Sequence, residues 1–283
     1  MRFLDALDRR AAALDAPPGL PDRAAALDAL ERWLPDTADD GPAFAGPAWR
    51  RALAWRARLQ AANEALFAAI RAHVLEGAGH AALWPVIEIC RKGQTAPRGD
   101  GYDALDELVG GVLQMPEPGK PLLEQATDMV FYQPTPARHI VDLIERAGPG
   151  ADDVLVDLGS GLGLVPLLAS IVSPARCIGV EREPAYVASA RACARALRLE
   201  RAAFVVADAR EADLSRGTVF YLYTPFRGAV LRVVLDALRA QAAQRPLRVC
   251  GYGPCVRDLA AEPWLHADAA PDPQRVTIFR ART

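Results

Sequence analysis

Lysine is almost absent from this chain of 283 residues, and the positive charge that arginine supplies is not concentrated in one region. Lys92 and Lys120 are the two lysines, beside 31 arginines. Residues 1–130 carry 14 Lys and Arg against 19 Asp and Glu, whereas residues 131–283 carry 19 against 16. Neither part has the basic footprint of a nucleic-acid-binding surface. We therefore expect a small-molecule or protein substrate and no nucleic-acid partner.

Long apolar runs are also missing, although 51% of the residues are hydrophobic. No stretch approaches the ~20 apolar residues that a membrane-spanning helix requires. The N-terminal segment MRFLDALDRR carries acidic residues where a secretory signal needs an apolar run. These features predict a cytoplasmic protein that does not insert into a membrane.

Cysteine and histidine are few and show no ligand spacing. The five cysteines are odd in number and form no C-x-x-C pair, and the four histidines are scattered. This pattern favours buried free thiols in a reducing compartment and predicts no metal site. The cysteines are Cys90, Cys177, Cys193, Cys250 and Cys255.

Helical periodicity dominates residues 1–125. Apolar residues recur at intervals of three and four within residues 3–14, 27–34 and 59–74, and a further helix fits residues 102–113. Proline and glycine separate these segments. We predict a helical N-terminal domain over 1–125. Three roles for it stay open: shaping an acceptor pocket, forming a homodimer through its helices, or capping the domain that follows.

Short apolar runs alternate with amphipathic segments over 126–283, a pattern typical of a parallel sheet flanked by helices. The predicted strands cover 154–158, 177–181, 204–207, 219–223 and 247–251, and the predicted helices cover 164–172, 184–197 and 228–241. Two last runs, 264–267 and 276–280, are joined by a short polar loop and predict an antiparallel hairpin. The predicted fold class is α/β, with a doubly wound, mostly parallel sheet.

The segment VLVDLGSGLGLVP at 154–166 places three glycines between the first predicted strand and a helix. Open α/β sheets bind ligands at this end of their strands. A phosphate loop would need a lysine after the glycines, and none follows. A dinucleotide loop has the spacing G-x-G-x-x-G, but Leu164 occupies its third glycine position. The observed spacing is G-x-G-x-G, at Gly159, Gly161 and Gly163, with an acid at Asp157.

This spacing resembles motif I, D-x-G-x-G-x-G, of the class I, seven-strand methyltransferases that use S-adenosylmethionine. The resemblance covers roughly residues 131–283. It implies that the amino acid and nucleoside ends of the cofactor lie across the backbone of Gly159, Ser160, Gly161 and Gly163. It also implies that Asp157 lies near the sulfonium cation, where an anion is favourable.

Two further acids end the next two predicted strands, as the same resemblance requires. Glu181 closes the segment IGVE, and Asp208 follows FVVA. In family terms, Glu181 accepts hydrogen bonds from both ribose hydroxyls, and Asp208 accepts one from the adenine amino group. A carboxylate suits a vicinal diol because it has two acceptor oxygens.

The fourth predicted strand matches the family only in part. Methyltransferases that act on exocyclic base amines or on glutamine carry [N/D]-P-P-[F/Y] at this position. This chain has Tyr223, Thr224, Pro225 and Phe226 instead, which argues against a base or a glutamine as acceptor. We assign Tyr223, Pro225 and Phe226 as candidate catalytic residues. Tyr223 is compatible with accepting a hydrogen bond from an amine, with orienting an oxygen nucleophile, or with packing at the strand end.

The segment MVFYQPTPARHIVDLIERA precedes the glycine motif. Its Tyr-x-Pro-Thr sequence is similar to one in seven-strand protein-lysine methyltransferases, where it closes over the methionine end of the cofactor. The resemblance implies that Tyr132 and Thr135 line the site. Independently, Thr135 and Pro136 predict a helix start, with Thr135 as N-cap and Pro136 as first helical residue.

The sequence predicts a methyltransferase that uses S-adenosyl-L-methionine and methylates an amine of a protein side chain or small molecule. Three alternatives stay open. They are O-methylation of a small molecule, an NAD(P)-dependent oxidoreductase, and a catalytically silent protein that binds the cofactor.

Overall fold

The computed structural model describes residues 2–16, 19–34, 46–92, 101–120, 122, 133–223 and 227–281. The chain forms two compact units. One comprises residues 1–93 and 103–112, and the other comprises residues 94–102 and 113–283. The domain boundary that the sequence predicts between residues 125 and 126 lies outside the described residues.

The first unit is helical. Its apolar core joins leucines of the first four helices, among them Leu4, Leu14, Leu30 and Leu59. The fifth helix is absent from the sequence prediction because Pro85 interrupts its interior. The helices are α1 (Arg2–Arg9), α2 (Ala11–Asp15), α3 (Leu20–Trp33), α4 (Pro47–Leu75), α5 (Gly79–Arg91) and α6 (Ala104–Leu113).

A buried guanidinium ties this helical core together. Arg23 is 1% exposed, and its Nη1 donates hydrogen bonds to the carbonyls of Leu14 and Ala16, each at 2.9 Å. Its Nε donates to the side-chain oxygen of Asn63 on α4. Burial of a charge is costly unless it is hydrogen-bonded, so these contacts fix how α2, α3 and α4 pack.

The second unit contains a seven-strand sheet. The strands are β1 (Val154–Leu158), β2 (Arg176–Glu181), β3 (Ala202–Val206), β4 (Val219–Tyr223), β5 (Arg248–Tyr252), β6 (Leu265–Ala267) and β7 (Thr277–Ala281). Their order is β3-β2-β1-β4-β5-β7-β6. The first five are parallel, and β7 is antiparallel to both neighbours. The predicted α/β fold with a C-terminal antiparallel hairpin is confirmed.

Helices flank this sheet: α7 (Ala137–Ala147), α8 (Leu164–Val172), α9 (Pro184–Ala196), α10 (Gly228–Ala242) and α11 (Cys255–Ala260). One apolar core joins Val156, Phe220 and Val249 of the strands to Leu231 of α10 and Leu259 of α11. The prediction for the start of α7 is wrong by one residue. Pro136 has the extended ψ of 135° and is the N-cap, so the helix begins at Ala137.

The edge of the sheet at β3 is covered by a side chain of α9. Arg191 donates from Nε and Nη2 to the carbonyl oxygen of Phe204, at 3.0 and 2.6 Å. Phe204 lies in the middle of β3, whose other side pairs with β2. The guanidinium therefore occupies a backbone acceptor that no strand of this sheet uses.

All five cysteines are free and buried, as predicted. Among the helices of the described residues, none combines the length and the apolarity needed to cross a bilayer.

Candidate functional site

The glycine motif forms the turn between β1 and α8. Gly159, Gly161 and Gly163 have φ angles of 83°, 52° and 79°, a region that residues with a Cβ rarely adopt. The amides of Gly159 and Ser160 both donate to the carbonyl of Val180 on β2, at 2.9 and 3.0 Å. The turn is thus fixed to the neighbouring strand, and three glycines leave its backbone bare.

The side chains of Phe204 and Ser160 pack closely against two glycines, Gly163 of this turn and Gly179 of β2. A Cβ on Gly163 would lie 2.3 Å from the Phe204 ring, and one on Gly179 would lie 2.5 Å from that ring and 2.7 Å from Ser160 Oγ. Phe204 and Ser160 therefore fill the space where side chains would otherwise stand. Gly179 is not among the residues predicted from the sequence, although an isolated glycine inside a strand is a signal of close backbone approach.

Glu181, the last residue of β2, holds the turn through its carboxylate. Its Oε2 accepts a hydrogen bond from the amide of Gly161 at 2.9 Å, and its Oε1 accepts one from the amide of Glu183 at 2.9 Å. Each oxygen can accept about one more hydrogen bond. Two oriented acceptor oxygens with remaining capacity are suited to the two hydroxyls of a ribose.

Asp157 lies on β1, in register with Gly179 of β2 and Tyr221 of β4. It is 4% exposed. Burial raises the pKa of this carboxyl well above its ordinary value, and the nearby Glu181 carboxylate raises it further. A buried acid of this kind is stabilised in its ionised form when a cation approaches it.

Thr135 contacts Tyr221, the residue of β4 that is in register with Asp157. The Thr135 Oγ1 and the Tyr221 hydroxyl are 3.3 Å apart, and both residues are buried. Burial raises the pKa of Tyr221 well above its ordinary value, so the phenol is neutral and can donate a hydrogen bond. Tyr132, the other residue of the lead-in that was predicted to line the site, lies outside the described residues.

Tyr223 ends β4 and is partly exposed. Its ring centroid lies 4.6 Å from that of Tyr252 on β5, and the Tyr252 centroid lies 4.1 Å from that of His139 on α7. Tyr252 and His139 are fully buried. Tyr252 is not among the residues predicted from the sequence, because only the register between β4 and β5 brings it beside Tyr223. Pro225 and Phe226 lie outside the described residues.

Asp208 follows β3 by two residues and is paired with Arg210. The two side chains form an ion pair with 2.7 Å between Arg210 Nη2 and Asp208 Oδ2. Hydrogen bonding to Arg210 lowers the pKa of this carboxyl. Arg210 was not among the residues singled out from the sequence, because an exposed arginine carries no signal by itself.

The sheet order brings the three acids to one edge. Strands β3, β2 and β1 are neighbours, so Asp208, Glu181 and Asp157 stand at or near the carboxyl ends of three adjacent parallel strands. The amide of Ala207 donates to the carbonyl of Glu181 at 3.0 Å and continues the pairing toward Asp208. The acids and the bare turn together form a polar site where this type of sheet binds ligands.

No protein-family model and no curated protein matches this sequence. Among solved structures, the chain is similar to the RNA methyltransferase from Salinibacter ruber in complex with S-adenosyl-L-homocysteine, with 28% identity and a TM-score of 0.42 over 52% of this chain and 92% of that one. It is also similar to the tRNA (uracil-54, C5)-methyltransferase of Pyrococcus abyssi, with 16% identity and a TM-score of 0.41 over 54% and 40%. A third is the geranyl diphosphate C-methyltransferase of Streptomyces coelicolor, with 21% identity and a TM-score of 0.33 over 40% and 44%. The seven-strand sheet fits the class I methyltransferase fold.

Proposed function

We propose that this protein is a methyltransferase that uses S-adenosyl-L-methionine. The contact between Glu181 and the amide of Gly161 carries the proposal. Through this contact, a carboxylate that is suited to bind a ribose is hydrogen-bonded to a turn whose three glycines carry no side chains. Both the carboxylate and the turn lie beside the buried acid Asp157. A turn that served only to connect β1 and α8 would need neither acid.

The described residues fit this cofactor group by group. The backbone of Gly159, Gly161 and Gly163 offers a surface for its amino acid end, and Glu181 has acceptor capacity for both ribose hydroxyls. Asp208 retains acceptor capacity for the adenine amino group. Asp157 supplies a negative charge beside the cationic centre. When bound, S-adenosylmethionine supplies an already activated methyl group.

The chain's own task in such a reaction is to align an acceptor and exclude water. We propose an amine of a protein side chain or small molecule as the acceptor, with the Tyr223 oxygen accepting a hydrogen bond from the amine. An amine must arrive unprotonated to act as a nucleophile, and an apolar, aromatic surrounding such as Tyr223 and Tyr252 favours the neutral form. An oxygen nucleophile oriented by Tyr223 is the second candidate.

A binding comparison tests the proposed function. We expect S-adenosylmethionine and S-adenosylhomocysteine to raise the melting temperature and to give a one-site isotherm in calorimetry. NAD and NADP should do neither, because Leu164 stands where a dinucleotide loop has its third glycine. Stabilisation by a nicotinamide dinucleotide, with no response to either sulfur compound, would replace this proposal by the oxidoreductase alternative.

Glu181→Gln should weaken S-adenosylhomocysteine binding by about 1 to 3 kcal/mol, or roughly 5- to 150-fold. The amide nitrogen of glutamine cannot accept a hydrogen bond, so one ribose contact and one backbone contact are lost together. Titration calorimetry measures the effect. The matched control is Glu200→Gln, an exposed residue after α9, which should bind as the unsubstituted protein does. Equal affinity in both variants would remove Glu181 from the site.

Binding should depend on pH through Asp157. Burial, and to a smaller extent the Glu181 carboxylate, raises the pKa of Asp157 in the folded protein above the ordinary 3.8. Between pH 3.8 and this raised pKa, the folded, unliganded protein holds a proton on Asp157 that the unfolded chain has lost. Ionisation in this window destabilises the unliganded protein, whose stability falls as pH rises through it. A bound cation favours the carboxylate, so affinity rises through the same window and binding releases a proton.

The proton release is measured by calorimetry in two buffers of different ionisation enthalpy at one pH. The binding enthalpy should change with the buffer in the unsubstituted protein and should not in Asp157→Asn. The ionisable groups nearest to Asp157 are Tyr221, in register with it on β4, and Glu181, whose carboxylate raises its pKa; both are kept in Asp157→Asn, so the comparison isolates the proton of Asp157. A buffer-independent enthalpy at every pH from 4 to 8 would show that Asp157 does not titrate on binding.

A further inference from the structure

Asp208 makes more hydrogen bonds to Arg210 than an ordinary surface ion pair would. Its Oδ1 accepts from the backbone amide of Arg210 at 2.9 Å and from Arg210 Nε at 2.9 Å. Its Oδ2 accepts from Arg210 Nη2 at 2.7 Å. The carboxylate is therefore held by a two-residue turn and by both arms of one guanidinium, which fixes its plane and its rotation.

These contacts use most of the carboxylate's capacity. A carboxylate has about four acceptor sites, and Arg210 occupies two on Oδ1 and one on Oδ2. The remaining site is on Oδ2. One free acceptor site on a fixed, ionised carboxylate suits one N–H group, such as one hydrogen of an exocyclic amine.

The pair contributes little to holding the fold. The side chain of Arg210 is 49% exposed and that of Asp208 is 27% exposed, and exposed pairs of this kind have small effects on stability. Arg210 contacts no other element through a described hydrogen bond. Among the described residues, the Arg210 side chain therefore orients only the Asp208 carboxylate, to which it donates its hydrogen bonds.

We propose that Arg210 is a positioning residue that sets the base selectivity of the site. It holds Asp208 so that the free Oδ2 acceptor faces the 6-position of a purine, where it accepts from a 6-amino group and repels a 6-oxo group. This inference rests on the proposed function, since Asp208 is there the partner of the adenine. It adds that selection for adenine depends on a residue that need not touch the nucleotide.

A comparison of two ligands separates positioning from general stability. S-adenosylhomocysteine carries a 6-amino group, whereas S-inosylhomocysteine carries a 6-oxo group and an N1–H. The unsubstituted protein should prefer the first by at least about 100-fold. In Arg210→Ala the carboxylate can rotate away from the oxygen or toward the N1–H, so the preference should fall below about tenfold. If Arg210 only stabilised the local structure, Arg210→Ala would weaken the binding of both compounds equally and leave the ratio of their dissociation constants unchanged.

Two further variants complete the test. Arg210→Lys keeps the charge but loses the two-armed contact, so its ratio should also fall; a ratio kept at the unsubstituted value would overturn the positioning role. Arg216→Ala removes an exposed arginine of the same loop region and should keep the full preference. Circular dichroism and melting curves confirm that each variant is folded.

The outcomes distinguish this inference from the proposed function. If the unsubstituted protein binds neither ligand, the proposed function fails. If it binds S-adenosylhomocysteine selectively and Arg210→Ala keeps that selectivity, only the role of Arg210 fails. Tighter binding of S-adenosylhomocysteine by Arg210→Ala would also overturn the inference, since the guanidinium would then be competing for Asp208.

Discussion

Gly161→Val should abolish binding of S-adenosylhomocysteine, with an affinity loss of more than about 100-fold. Gly161 has a φ of 52°, and a β-branched residue strongly disfavours this conformation. The new side chain would also stand on the backbone surface that the proposed cofactor approaches. The contact between the Gly161 amide and Glu181 would shift with it, so the turn and the ribose partner would be disturbed together.

Gly148→Val is the matched control for this change. Gly148 ends α7 with a φ of 53°, and a Cβ there would meet nothing within 4 Å. Both variants therefore place a valine at nearly the same positive φ, with the same kind of backbone strain, but only Gly161→Val does so at the candidate functional site. We expect similar losses of melting temperature and a loss of binding in Gly161→Val alone, measured by scanning and titration calorimetry. Retained binding in Gly161→Val would mean that the turn serves packing only.

Asp157→Asn should move stability and binding in opposite directions. Asparagine cannot ionise and so avoids the desolvation cost that an ionised Asp157 would have, and the unliganded protein should therefore melt at the same or a higher temperature near neutral pH. Binding of S-adenosylmethionine should weaken by on the order of 2 to 4 kcal/mol, the interaction of two charges a few ångströms apart at the effective dielectric constant of about 20 that holds even for buried sites. This corresponds to roughly 30- to 1,000-fold in the dissociation constant.

Asp152→Asn is the control, because Asp152 is exposed in the loop before β1. It should leave both melting temperature and affinity near their unsubstituted values. A variant of Asp157 that loses stability and keeps its affinity would identify this acid as a structural partner inside the sheet. Melting curves with and without ligand, recorded at one pH, provide both quantities in one experiment.

The sheet could be read from the sequence where apolar runs are bounded by clear turns. The predicted bounds of β1, β4 and α8 agree with the structure, because a glycine stands next to one end of β1 and of α8 and two residues before the start of β4. α5 was missed since Pro85 lies inside it, and α11 was missed because six residues give little periodicity. The local sequence pattern indicates which secondary structure a segment favours by itself, but it does not indicate the tertiary packing that can override this preference.

The candidate site could be predicted in part for the same reason. Acids at the carboxyl ends of consecutive parallel strands share one edge of a sheet, so the positions of Asp157, Glu181 and Asp208 were predicted from the sequence, while their roles toward a cofactor are implied by the resemblance alone. Arg210 and Tyr252 were not, because their roles depend on side-chain pairing and on strand register. The strand order itself, with β4 beside β1, is set by packing between distant segments that periodicity does not encode.

The guanidinium of Arg191 on the Phe204 carbonyl has a consequence for how copies of this protein meet. An uncovered border of a β-sheet is a template onto which a foreign strand can be added, and natural proteins block it with charged side chains. Here the blocking group sits in the middle of β3, where an added strand would have to displace a cation from its acceptor. A strand that pairs at this border must first break the two hydrogen bonds of this guanidinium, so Arg191 disfavours edge-to-edge association of copies of this protein.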